Sequence, residues 1–388
     1  MDWNDWFVGF QCFHCGEQTD RLATTCPTCQ SFLTLSGLAT ALSDLDTSVL
    51  LRDMRDLTPI LPCTSLGNGF THPGGTPLIR SPWLAHTSDY TQVSIKHEGT
   101  NPTGHVTDRD MAVACAVAAS EGEDTVALAS PGRSGIAAAA AAGARSLQCH
   151  VFVPSRSQFS AKAMINVHGG EMSVIGGRYR DAALAFRDAE ADDAWYSLNP
   201  SSSPFRQAGR LTMYLEILAD REWRAPDTIV LPAASALDVI PLYEAAKASV
   251  AADVTKAIPR FIIAQPAGCS PLVDAYAAGE SEVSPWESPD TICGELEIGS
   301  QPGMHAVLSI IAKTGGEAIA VPDPAALEAA VQLSQRSGCA PSVAGGVAAA
   351  ALTAVETVNP HESAVVINPG AGSLDADILR SHLMSQGV

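Results

Sequence analysis

Lysine is nearly missing from this chain. Only five of the 23 basic residues are lysines (Lys96, Lys162, Lys247, Lys256 and Lys313), leaving 18 arginines against 42 aspartates and glutamates. The formal net charge of −19 excludes broad binding to nucleic acid, whose phosphates require an excess of protein cations. Long apolar runs are also missing, and none reaches the roughly 20 residues that a membrane span requires. The first residues lack a basic stretch followed by an apolar one, so no secretory signal is expected. These absences point to a soluble cytoplasmic protein with no membrane and no nucleic-acid partner. An acidic, lysine-poor surface fits the acidic proteome of a halophile, and an ordinary acidic cytosolic protein has the same charge balance.

What is present argues for a folded chain. A hydrophobic content of 46% excludes disorder, and 388 residues are enough for two domains or one large two-lobed one. Four of the ten cysteines form two CxxC turns, Cys12 with Cys15 and Cys26 with Cys29. Each turn presents two thiolates to one side, so the pair supplies a tetrahedral, closed Zn²⁺ site of structural type. The alternative is an empty or redox-active dithiol pair. The other six cysteines (63, 115, 149, 269, 293 and 339) lie in apolar or loop contexts, as reduced buried thiols do.

Apolar runs then alternate in kind along the chain. Residues 93–98 read as a strand, followed by the turn residues Asn101-Pro-Thr-Gly104 and a helical run from Met111 to Ser120. Strands follow at 125–129, 149–154, 172–175 and 226–232, with alanine-rich helices between them, as at 136–145. This alternation predicts an α/β fold with parallel sheets covered by helices on both faces.

Several of these stretches together resemble the threonine synthases, a branch of the fold type II (tryptophan synthase beta-like) pyridoxal-phosphate enzymes. The segment Asn101-Pro-Thr-Gly-His-Val-Thr-Asp-Arg-Asp-Met111 is similar to the family's N-P-T-G-S-F-K-D-R-G, whose Lys carries the cofactor. Asn101, Pro102, Thr103, Gly104, Asp108 and Arg109 are kept. Thr107 stands at the Lys position, His105 at the Ser and Asp110 at the closing Gly. Gly75-Thr-Pro-Leu78 within 74–80 matches the opening of the catalytic fold, and 203–217 matches a segment of which Arg206, Gly209, Thr212 and Glu216 are kept. In that segment the family's Glu and Lys are replaced by Ala208 and Leu211.

The resemblance implies two open-sheet lobes behind a small zinc ribbon with four cysteine ligands. It places the ribbon at 1–35, a large lobe at 36–111 and 201–388, and a small lobe at 112–200. It implies a homodimer as well. Its cofactor contacts are degraded here. Arg133 stands where an Asn meets the ring hydroxyl, Asn368 or Pro369 where a Thr meets the ring nitrogen, and Ala234-Ser-Ala-Leu-Asp238 where a G-N-G-G-N loop closes on phosphate. Leu237 puts a side chain, and Asp238 a negative charge, where backbone N–H groups should approach an anion. Pyridoxal phosphate is therefore expected to be absent. The expectation is a pseudoenzyme with a binding, scaffolding or regulatory role, with an active paralogue as one candidate partner. The alternative is an active threonine synthase, converting O-phosphohomoserine to threonine and phosphate, or a related lyase using a rebuilt pocket. His105, Asp108, Arg109 and Arg133 either form that rebuilt site or pair with one another.

Overall fold

Short apolar runs bounded by turn residues become strands, and the longer alanine-rich runs between them become helices. The computed structural model describes residues 2–48, 50–67, 71–191, 195–299, 303–356, 358–359 and 361–385. Three short strands open the chain: β1 (Phe10–Cys12), β2 (Gln18–Thr19) and β3 (Leu33–Leu35). Next come β4 (Leu78–Arg80) and β5 (Gln92–His97). Four strands follow: β6 (Thr125–Ala129), β7 (Gln148–Pro154), β8 (Glu171–Ile175) and β9 (Tyr196–Ser197). The last four are β10 (Thr228–Pro232), β11 (Arg260–Pro266), β12 (Glu317–Val321) and β13 (Ser363–Asn368).

They assemble into three sheets. The ribbon is antiparallel with order β2-β1-β3, and a parallel four-stranded sheet has order β8-β7-β6-β9. The third has order β12-β11-β10-β13-β5-β4 and is parallel except for β4. Every residue of β10 and β13 is buried, the pattern of parallel strands with both faces covered. The architecture is the α/β class expected from the sequence.

The chain divides into two compact units. One comprises Met1–Gly75, Asn101–Ala219 and Lys247–Val254; the other comprises Thr76–Thr100, Asp220–Ala246 and Thr255–Val388. This grouping differs from the division at 35, 111 and 200, because the first unit holds the ribbon, the four-stranded sheet and most of the helix Phe205–Asp220 together. Side-chain contacts explain why. Trp3 stacks on Phe205 at 5.6 Å, and Phe10 meets the same ring edge-on at 5.1 Å. The Gln207 amide donates to the Leu33 carbonyl, so the ribbon and this helix share one core.

The helix expected from Met111 begins earlier, at Thr107, and runs to Glu121. Its first turn is polar, which hid it from a hydrophobic reading, yet residues 107–110 are all buried. It lies backbone to backbone against the helix Phe205–Asp220: a Cβ on Gly209 would sit 2.0 Å from the Arg109 carbonyl oxygen. In the second unit, Ile95, Val230, Ile262 and Val366 of the sheet pack with Val343, Val347 and Leu352 of the helix Val343–Leu352. Among the described residues, no helix is long and apolar enough to cross a membrane.

Candidate functional site

In the first unit, the turn 101–106 is held by its own polar groups. Asn101 Oδ1 accepts from Gly74 N at 2.9 Å, and Gly104 takes the left-handed conformation, with φ of 83°, that the turn requires. Thr103 donates to Asp108 through its N–H (2.8 Å) and its hydroxyl (2.7 Å). Burial pushes the Asp108 carboxyl up to about 6, against the pull of those Thr103 hydrogen bonds. His105 Nδ1 accepts the Thr107 N–H at 3.3 Å and lies 3.0 Å from Thr107 Oγ1. Nδ1 is thus an acceptor, and in the neutral ring the proton sits on Nε2.

Asp108 and Arg109 do not pair with one another, because adjacent helical residues face different directions. Fully buried Arg109 grips Glu216 with two bonds of 2.7 Å and adds Thr212 Oγ1 at 3.0 Å. Asp110, at the family's glycine position, is bound by Arg210 at 2.8 and 2.7 Å and by Arg206 at 3.2 Å. Ala208 and Leu211, at the family's Glu and Lys positions, are buried apolar residues of the same helix. Arg133 is the first residue of the helix Arg133–Gly143 rather than part of a turn. Just before it, Ser130 Oγ accepts the N–H groups of Gly132 (3.0 Å) and Gly135 (2.9 Å).

In the second unit, the loop after β10 closes on itself. Asp238 Oδ2 accepts from Ala234 N (3.0 Å), Ser235 N (2.9 Å) and Ser235 Oγ (3.2 Å). The Asp238 charge expected to repel an anion is instead folded into the loop as an acceptor. Leu237 is 1% exposed, its side chain in the core. At the paired ends of β5 and β13, the Asn368 amide is hydrogen-bonded to His97 Nδ1, and Asn368 Oδ1 accepts from Ser342 N at 3.2 Å. Burial holds His97 below its usual range, which favours the neutral ring that Asn368 engages. Lys96, also fully buried, donates to the Thr76 carbonyl at 2.6 Å with Asp220 Oδ2 at 3.5 Å.

Sequence reasoning missed Ser130, Ser235 and His97. Ser235 and Asp238 follow the S-x-x-D spacing of a capping box, a signal that was present. His97 acquires its partner only when β5 and β13 are paired, and nothing local announces that.

In the ribbon, Cys12, Cys15, Cys26 and Cys29 bring their sulfurs within 4.8 Å of one another. The closest separations are 3.5 Å (Cys12–Cys29), 3.6 Å (Cys15–Cys26) and 3.7 Å (Cys15–Cys29). Zn–S bonds of about 2.3 Å in a tetrahedron give sulfur–sulfur edges of about 3.8 Å, so this set is compatible with a zinc site.

The family description "Pyridoxal-phosphate dependent enzyme" matches residues 70–370, most of the chain. The chain belongs to that family. It is similar to threonine synthase from Methanosarcina acetivorans, at 31% identity over 72% of this chain and 69% of that protein. Threonine synthase from Methanocaldococcus jannaschii is 28% identical over 78% of this chain and 76% of its own length. Among solved structures, a fungal L-serine ammonia-lyase from Rhizomucor miehei matches with a TM-score of 0.69 at 18% identity, covering 80% of this chain and 98% of its own. Maize serine racemase matches with a TM-score of 0.67 at 20% identity, covering 81% and 94%. These structural likenesses establish the fold of the pyridoxal-phosphate family for this chain and nothing finer.

Proposed function

We propose that this threonine-synthase-like member of the pyridoxal-phosphate family works without a lysine-bound cofactor, as a binding, scaffolding or regulatory protein. The observation that carries this reading is Thr107 at the family's lysine position, with its hydroxyl engaged by His105 Nδ1. A hydroxyl forms no imine with the cofactor aldehyde. The loop after β10 supports the same reading, since the donors a phosphate would use already bind Asp238. A phosphate placed beside that carboxylate would face a repulsion of about 4 kcal/mol for unit charges 4 Å apart at an effective dielectric of 20. Pyridoxal phosphate therefore does not fit the residues present.

The test is borohydride reduction after incubation with pyridoxal phosphate, followed by peptide mass spectrometry. We expect no modified lysine at any of the five positions, and a stoichiometric adduct or an aldimine band surviving gel filtration overturns the proposal. The second reading, an active threonine synthase, draws on the 31% identity to the Methanosarcina acetivorans enzyme. Phosphate release from O-phosphohomoserine above the protein-free blank would establish it; we expect none.

The four ribbon cysteines are proposed to hold one structural Zn²⁺ per chain. Elemental analysis should find one zinc, lost in Cys26→Ala, with the ribbon unfolding locally when the metal is chelated. A homodimer, with a catalytically competent paralogue as an alternative partner, completes the proposal. Sedimentation in high salt should give the mass of two chains.

A further inference from the structure

We infer that Asp238 is a resident anion: its carboxylate occupies the donor cluster of the loop after β10 permanently, so the second unit holds this loop in shape with no bound phosphate. The inference rests on the cofactor-free reading above and extends it to how the fold is maintained.

Three donors converge on one oxygen, Asp238 Oδ2: the N–H groups of Ala234 and Ser235 and the Ser235 hydroxyl. Two successive backbone N–H groups aimed at one point form a concave anion-binding arrangement. A plain capping box accounts for less than this. It would take the Ser235 N–H alone, whereas the Ala234 N–H lies one residue upstream of it. The helical turn Ala236–Asp238 that this cap serves leads through Val239 into the helix Ile240–Ala251.

Burial makes the carboxylate necessary. Ala234, Ser235, Ala236 and Leu237 are exposed by 9%, 8%, 0% and 1%, so these backbone donors have little access to water. A cavity of about 10 Å³ beside the loop, lined by Ala234, Gln265, Cys269 and Met304 among others, has room for about one water molecule. Leu237, anchored in the core, fixes the loop so that the carboxylate three residues after Ser235 reaches back to it. A free anion leaves when its concentration falls, and a tethered one cannot.

The test compares wild type, Asp238→Ala and Asp238→Asn by thermal unfolding and amide hydrogen exchange at fixed ionic strength, with sodium chloride or with inorganic phosphate. In chloride, Asp238→Ala should unfold on the order of 3–6 °C below wild type and lose exchange protection at Ala234 and Ser235. Asp238→Asn, which keeps an acceptor and loses the charge, should fall between them and keeps the test informative if the alanine variant does not fold. Inorganic phosphate should raise the unfolding temperature of Asp238→Ala by more than the general salt-induced rise it gives wild type. Equal stability of all three proteins overturns the inference. So does destabilisation that phosphate fails to reverse, because the carboxylate is then only a helix cap. A phosphate-induced rise in wild type matching that of the variant overturns it as well. The assay contains no cofactor and reads no lysine adduct, so it fails or succeeds separately from the borohydride test.

Discussion

The first turn of the helix Thr107–Glu121 and the loop between β10 and the helix Ile240–Ala251 are both held by polar contacts, but by partners at very different range. In the turn, Arg109 and Asp110 reach residues about a hundred positions away, Glu216, Arg206 and Arg210. In the loop, Asp238 accepts from residues three and four positions before it. The long-range pairs join two helices whose backbones touch at Gly209, so altering one residue strands a buried charge. The loop makes its contacts within five residues. Arg109 and Asp110 are thus fixed by the packing of two helices, whereas Asp238 accepts from its own loop.

Breaking the long-range side of this contrast should give the largest effect. Glu216→Leu leaves Arg109 buried without its carboxylate and removes the acceptor of Gly75 N (3.0 Å), so we expect a loss of about 3–5 kcal/mol in denaturant unfolding. Adding Arg109→Met should recover much of it, since no lone buried charge remains; a double mutant no better than the single would show that the pair is not the source.

A smaller effect comes from Asp108, and it depends on pH. Its carboxyl is raised to about 6 in the folded state against an ordinary 3.8, so the native protein holds the extra proton between those values. Stability from this group is therefore present below pH 3.8 and lost as pH rises through 6, by about 3 kcal/mol at most. Relative to Asp108→Asn, wild type should become less stable from pH 4 to pH 6.5; a flat difference would remove burial as the dominant influence on this carboxyl.

Within the turn, Thr107→Val deletes one hydroxyl contact to His105 and keeps the shape, which should cost about 1 kcal/mol. Thr107→Lys should have the least effect of all on cofactor binding, none in the visible spectrum after addition of pyridoxal phosphate. The new amine leaves the Asp238 loop unaltered. Tight binding by that single variant would show that the loop still accepts phosphate. Thr107→Lys together with Arg133→Asn and Gly-Asn-Gly-Gly-Asn at 234–238 changes the amine, the ring-hydroxyl position and the phosphate loop at once, and a visible band is expected from that combined variant before any single one.

By itself the sequence determined the α/β class and the gathering of Cys12, Cys15, Cys26 and Cys29, because these depend on short spacings and local periodicity. The strand at 125–129 has the bounds that its apolar run gives, and the two CxxC turns place their thiols together through local geometry. The helix start at Thr107 was hidden, since its polar first turn is buried only through residues near position 210. Position 238 could be read as aspartate, but its acceptance of the Ala234 and Ser235 N–H groups depended on the path of the backbone there. The Asn368–His97 bond spans 271 residues and forms only when two strands lie side by side. Only the tertiary structure decided these last points, because a buried polar group takes its meaning from the partner that desolvation forces it to find, and that partner is set by the fold.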